Sequence, residues 1–184
     1  MLIEHQLLWP LVLVSSLILS HLLGLAFPQR YRQLALHPRK PWCWQMLSFH
    51  WVHGNWRHLL FNALPLLLLT TLILIQEPQR IYIATVCIVL SAGSGTWLFS
   101  SATRVAGASA LVYGYWGFIV ATAAISQDQA WTAMAGLTLL FYSGLWATLG
   151  QVLKGVSWSA HFWGLTGGAL SACLQNYSSI FAGS

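Results

Sequence analysis

Charge is what this sequence has least of. Charged residues fill 6% of its 184 positions, against about 25% in a soluble domain. Only three are acidic: Glu4, Glu77 and Asp128. That shortage excludes whole chemistries. An aspartyl site in a membrane needs two buried carboxylates, and these three stand at the terminus or at the ends of apolar runs. No His-Glu-x-x-His zinc motif is present. A Ser-His-Asp triad lacks its acid, because none lies near the serine and histidine candidates below. The three cysteines, Cys43, Cys87 and Cys173, form no spaced pair, so neither a structural disulfide nor a cysteine metal site is expected.

Apolar residues stand where charge does not. Hydrophobic residues are 57% of the chain, and a span needs about 20 mainly apolar residues to cross the hydrocarbon. Six such runs are read from the sequence: residues 7–27, 59–75, 81–99, 109–125, 130–149 and 160–177. The expectation is an all-α polytopic membrane protein, a six-transmembrane-helix bundle with a long interfacial first loop, occupying residues 1–184 as a single domain. The links between the second and third runs and between the fourth and fifth are a few residues each, which predicts antiparallel neighbours. Residues 28–57 are too polar to span and carry Trp42, Trp44, Trp51 and Trp56 beside five of the eight basic residues. Tryptophan and arginine together favour the membrane–water interface, so the net charge of +5 points to lipid headgroups. A nucleic-acid partner is not expected, since it would need a basic face on a soluble surface.

Polar side chains inside apolar runs are functional candidates. Ser109 opens the fourth run in Gly107-Ala-Ser109-Ala-Leu-Val-Tyr113-Gly114. His58 and Asn62 stand four residues apart at the head of the second, on one helix face. His161 opens the sixth, with Gly164 and Gly168 on its own face. With no acid to complete a triad, a Ser-His dyad is the nucleophilic arrangement left, His161 taking the serine proton. The start of the fourth helix offers free backbone N–H groups to an oxyanion, and His58 and Asn62 add side-chain donors. Each feature also has a plain structural reading: a serine bonded back to its helix, an interfacial histidine, a glycine pair serving helix packing. His50, His53 and His58 suggest a metal cluster, but no carboxylate is there to orient them.

In combination these residues resemble the rhomboid intramembrane serine proteases in their minimal six-helix form, from about residue 42 to the last run. The histidine–histidine–asparagine element of that family is matched by His53, His58 and Asn62, its Gly-x-Ser element by Gly107-Ala-Ser109 with Tyr113 four residues on, and its Ala-His-x-x-Gly-x-x-x-Gly element by Ala160-His161 with Gly164 and Gly168. The resemblance implies Ser109 as nucleophile and His161 as base. It implies an oxyanion hole of His58, Asn62 and the Ser109 amide, Tyr113 packed on the His161 ring, and His53 supporting the first loop. It implies transmembrane protein substrates, no cofactor and no metal, and a multi-pass protein of a bacterial inner membrane with cytoplasmic termini. That orientation runs against the charge count, which places the basic first loop inside.

Two positions depart from the family pattern. Ala110 stands where a glycine usually follows the serine, adding a methyl near the contact of the fourth and sixth helices. Trp44-Gln45 replaces a Trp-Arg pair. These departures leave an alternative open, a catalytically inactive rhomboid-like protein that binds transmembrane clients. A narrower variant of the protease reading is a processor of C-terminal sorting tails.

Overall fold

The computed structural model describes residues 8–40, 44–141 and 158–182. Among these, all regular elements are helical apart from one isolated β-bridge. In chain order they are α1 (Leu8–Ala26), α2 (Pro28–Gln33), α3 (Gln45–Ser48), a 3-10 turn (Phe49–Trp51), α4 (Trp56–Gln76), α5 (Arg80–Phe99), α6 (Ser109–Ser126), α7 (Gln129–Phe141) and α8 (Trp158–Ala182). Four of them, α1, α4, α5 and α6, are long and apolar enough to cross a membrane. The fifth predicted span is described only as far as Phe141, so its remainder lies outside the described residues. The sixth falls on α8, which is 25 residues long but is not among the four helices apolar enough to span.

Which faces are buried follows from lipid being as apolar as leucine. The α1 helix buries only Pro10, Leu13, Leu17, His21 and Gly24, a stripe stepping by three or four residues. Its remaining leucines, Leu11, Leu19, Leu22, Leu23 and Leu25 among them, are exposed, at no cost in hydrocarbon. By contrast α6 is buried around its whole girth from Ala110 to Ile119, the signature of a central helix. It starts two residues beyond Gly107, whose φ of 122° only glycine adopts without strain. It ends at Gln127 in the left-handed region. The Asp128 carboxylate then accepts from the Ala130 and Trp131 amides (2.9 and 3.1 Å) and starts α7 at once. A turn this tight forces α6 and α7 antiparallel.

Alongside α6 runs α8, in the same direction and nearly backbone to backbone. A Cβ on Gly168 would run into the Gly114 carbonyl, and one on Gly164 into the Ala110 carbonyl. Ala110 and Gly114 on one helix face Gly164 and Gly168 on the other, each pair four residues apart, the small-residue pattern that permits close approach in membranes. At the far end from Ser109 the bundle is tied by polar groups. The Arg80 guanidinium contacts Glu77 (3.1 Å) and donates to the Asn176 side chain of α8 (3.0 Å), while the Trp131 indole of α7 donates to Glu77 (3.1 Å).

The described residues between 28 and 57 carry two short helices and a 3-10 turn and are tied by side chains. Tyr31 Oη donates to the Trp51 carbonyl (3.0 Å) and accepts from the His53 amide (2.8 Å). Leu36 and Val105 exchange backbone hydrogen bonds (2.9 and 2.8 Å), which fastens the segment to the residues leading into Gly107. Gln45 is buried and donates to the Gln33 carbonyl (2.7 Å) while accepting from the His37 amide (3.1 Å). The residue that departs from the family pattern is thus itself a clamp on this segment.

The α6–α8 apposition yields a stability prediction. Gly168→Ala forces a methyl against backbone, and overpacking of this kind costs about 1–3 kcal/mol. Gly136→Ala, on an open face of α7 with nothing within 4 Å, is neutral or stabilising, by up to about 1 kcal/mol. Thermal unfolding in detergent micelles should lower the midpoint for the first and not for the second.

Candidate active site

Ser109 is the first residue of α6 and His161 the fourth of α8. Because the two helices run parallel with their glycines in register, these residues meet at the same end. His161 Nε2 lies 2.9 Å from Ser109 Oγ. The imidazole is held flat by Tyr113, one turn below Ser109, whose ring stacks on it at 4.2 Å between centroids with planes 21° apart. His161 Nδ1 is buried with no hydrogen-bond partner, so no carboxylate orients the ring. Stacking and the serine contact hold it instead.

The loop ahead of Ser109 is fixed residue by residue. Gly107 N–H donates to the Phe49 carbonyl (3.0 Å) and Ala108 N–H to His53 Nε2 (3.2 Å). His53 therefore does more than support the first segment, since it holds the peptide immediately before Ser109. The bare face of Gly107 is what admits the α4 side chains. A Cβ there would come within 2.8 Å of His58 Cε1, 2.9 Å of His58 Nε2 and 3.7 Å of Asn62 Nδ2. His58 and Asn62 thus pack beside the Ser109 loop, and Asn62 Nδ2 also donates to the His58 carbonyl (3.1 Å). The head of α4 is itself set by Asn55, whose side chain accepts from the His58 amide (2.8 Å) as an N-cap. That cap, with Trp56 and Arg57 in the first turn, starts the helix at Trp56, three residues before the apolar run begins.

All the residues singled out from sequence, Ser109, His161, His58, Asn62, His53, Gly107, Tyr113, Gly164 and Gly168, are gathered at this end of the bundle or along the α6–α8 seam. The Ala110 methyl is fully buried beside Leu36, Phe49, Ala92, Val105 and Ala160. It finds apolar neighbours, and Gly164 still reaches the Ala110 backbone. His50 stands apart, its ring against Phe49 at 3.9 Å. Among the described residues no three His, Cys, Asp or Glu side chains are grouped to hold a metal ion. Sequence reading missed the Phe49 carbonyl and Tyr31, since an apolar residue acting through its backbone and a tyrosine 22 positions from its partner leave no motif.

A rhomboid-domain family model matches residues 40–177. The chain belongs to the rhomboid family. Its rhomboid relatives include uncharacterized proteins of Mycobacterium tuberculosis and Mycobacterium bovis, each 33% identical over 142 residues, covering 71% of this chain and 58% of theirs. An uncharacterized protein of Mycobacterium leprae is 30% identical over 132 residues, 67% of this chain and 52% of that one. The rhomboid chain described here thus spans less than two thirds of the length of these relatives.

Two histidines beside the site, outside the spans, make the fold pH-sensitive. Burial, reinforced by repulsion from His53, holds the His50 pKa down at about 3. Burial, reinforced mainly by repulsion from His58, holds the His53 pKa down at about 4. The Trp51 carbonyl pulls weakly the other way. Its own donors are Ser20 and Tyr31 (3.2 and 3.0 Å), and His53 Nδ1 is not within hydrogen-bond geometry of it. Below the ordinary histidine value of 6.5 the unfolded chain takes up protons that the folded one refuses, so stability falls with falling pH. The loss starts near pH 6.5 and is complete once pH passes below about 3. Apparent unfolding midpoints measured from pH 7.5 to 4 should decline, and His50→Phe should flatten part of the decline.

Proposed function

We propose that this rhomboid protein is an intramembrane serine endopeptidase that hydrolyses a peptide bond in or near the transmembrane segment of other membrane proteins. The observation that carries the reading is the 2.9 Å contact of His161 Nε2 with Ser109 Oγ. Neutral imidazole at that distance can accept the hydroxyl proton as the oxygen attacks the carbonyl carbon. The resulting oxyanion forms beside Gly107, where the first amides of α6 and the side chains of His58 and Asn62 serve as donors. Protonated His161 then passes its proton to the leaving amine, and water repeats the sequence on the acyl-enzyme with His161 again as base. Hydrolysis along this route consumes only water, so no cofactor or metal is invoked.

The proposed setting is a six-span bundle in a bacterial inner membrane, α7 continuing as the fifth span, with both termini cytoplasmic. Transmembrane substrates would reach Ser109 from the lipid, where a helix unwinds near the headgroup layer. The rival reading is an inactive relative that binds transmembrane clients. It draws on Ala110 and Gln45, the two departures from the family pattern. Buried apolar contacts around Ala110 and the hydrogen bonds of Gln45 give both residues structural roles that leave Ser109 and His161 in contact.

Purified protein reconstituted with a transmembrane model substrate decides between them. Ser109→Ala or His161→Ala should lower cleavage by about a thousandfold or more, and Asn62→Ala by about a hundredfold. A fluorophosphonate probe should label wild type at Ser109 and leave Ser109→Ala unlabelled. Cleavage by Ser109→Ala at the wild-type rate would sink the protease reading. Client binding without cleavage or labelling would establish the rival.

A further inference from the structure

We propose that a cavity beside the candidate site binds the phosphate group of an anionic membrane phospholipid. The cavity lies between the end of α1, α2 and the residues before Gly107, and has a volume of about 320 Å³, within the range of small-ligand sites. Its lining includes Arg32, Arg104, His21, Tyr31, His53 and Leu25. Two arginines from segments 72 positions apart in sequence thus line one recess, and among the described residues no carboxylate lines it.

Among the described residues neither arginine is paired with an acid. Glu77 is engaged by Arg80 and Trp131, and Asp128 caps α7. Arg32 Nε donates to the Pro28 carbonyl (3.3 Å), which steers the guanidinium and leaves its terminal nitrogens for a ligand. Guanidinium groups in pairs match phosphate oxygens by charge-assisted hydrogen bonds. The histidine rings and the tyrosine give the recess polar walls.

A lipid is favoured over free phosphate by what adjoins the recess. Leu25, one of its lining residues, is 60% exposed, and Phe27 beside it is 57% exposed. This apolar strip continues along α1 through Leu22 and Leu23, both exposed, at the point where the helix leaves hydrocarbon for the basic segment. An acyl chain can lie on that strip while its headgroup enters between Arg32 and Arg104. The Leu36–Val105 bridge joins the two segments that carry these arginines, so a phosphate held by both would brace the approach to Gly107. This inference does not rest on the protease reading, and its test does not use activity.

The test titrates short-chain phosphatidylglycerol into the full-length protein in neutral detergent, following the rise of the unfolding midpoint with ligand. Phosphatidylcholine of equal chain length and inorganic phosphate form parallel arms. Arg32→Gln with Arg104→Gln should weaken phosphatidylglycerol binding by about tenfold or more. A control with Arg30→Gln and Arg57→Gln removes the same charge away from this recess and should change binding by less than about twofold. Equal losses in both pairs, or an unchanged titration in the first, would overturn the site. Saturation by inorganic phosphate at the same arginines would overturn the lipid assignment in favour of free phosphate. A diazirine-bearing phosphatidylglycerol on wild type keeps the proposal testable if the double variant fails to fold. Label on residues 24–35 and 101–106 supports it, and label only elsewhere refutes it.

Discussion

Two helix backbones in contact are the constraint on which this structure depends. The approach of α8 to α6 over Gly164 and Gly168 leaves no room for a side chain between them, because carbonyl oxygens of Ala110 and Gly114 occupy the positions where Cβ atoms would stand. In hydrocarbon there is little hydrophobic gain in joining two apolar helices, so close van der Waals packing carries the association. Parallel helices in register bring their first turns to one level, which is why residues 52 positions apart, Ser109 and His161, meet at 2.9 Å. A side chain inserted into the seam would separate the helices and with them the two functional groups.

The second organising element is the segment between α1 and α4. Side chains satisfy part of its backbone, as Tyr31, Gln45 and Ser48 donate to the Trp51, Gln33 and Leu34 carbonyls, and the Trp51 indole ties it to α1 by donating to Ser16 (2.9 Å). The same contacts carry inward. The Phe49 carbonyl and the His53 ring receive the Gly107 and Ala108 amides, so this segment also sets the loop that presents Ser109. A substitution in Tyr31 or Gln45 is therefore expected to act on Ser109 through the backbone, without touching it.

How much of this was legible in the sequence can be argued from particular residues. The meeting of Ser109 with His161 and the close glycine seam were readable because a helix imposes fixed spacing and because a chain with three carboxylates offers few other polar groupings. The start of α4 was read three residues late, since hydropathy sees Leu59 and does not see that Asn55 caps a first turn made of Trp56, Arg57 and His58. Gln45 read as a deficit, an arginine missing from a pattern, whereas its amide donates and accepts at once and needs no counter-charge in a region short of acids. Hydrogen bonds between a side chain and a distant backbone leave no periodic trace. The anion recess was invisible for a related reason, as Arg32 and Arg104 belong to different parts of the chain and only the fold joins them.

The scarcity of acids bears on both the site and the recess. A carboxylate next to His161 would hold the ring and favour its charged form, and its absence leaves the ring positioned by Tyr113 and by the serine it contacts. Stacking fixes the plane of the imidazole, and the contact with Ser109 fixes which nitrogen faces the hydroxyl. Among the described residues no carboxylate lines the recess of Arg32 and Arg104 either, and two like charges in one recess repel each other unless an anion enters. The proposed phosphate site would supply that anion, and the segment where the basic residues gather is the one that holds the loop of Ser109 in place.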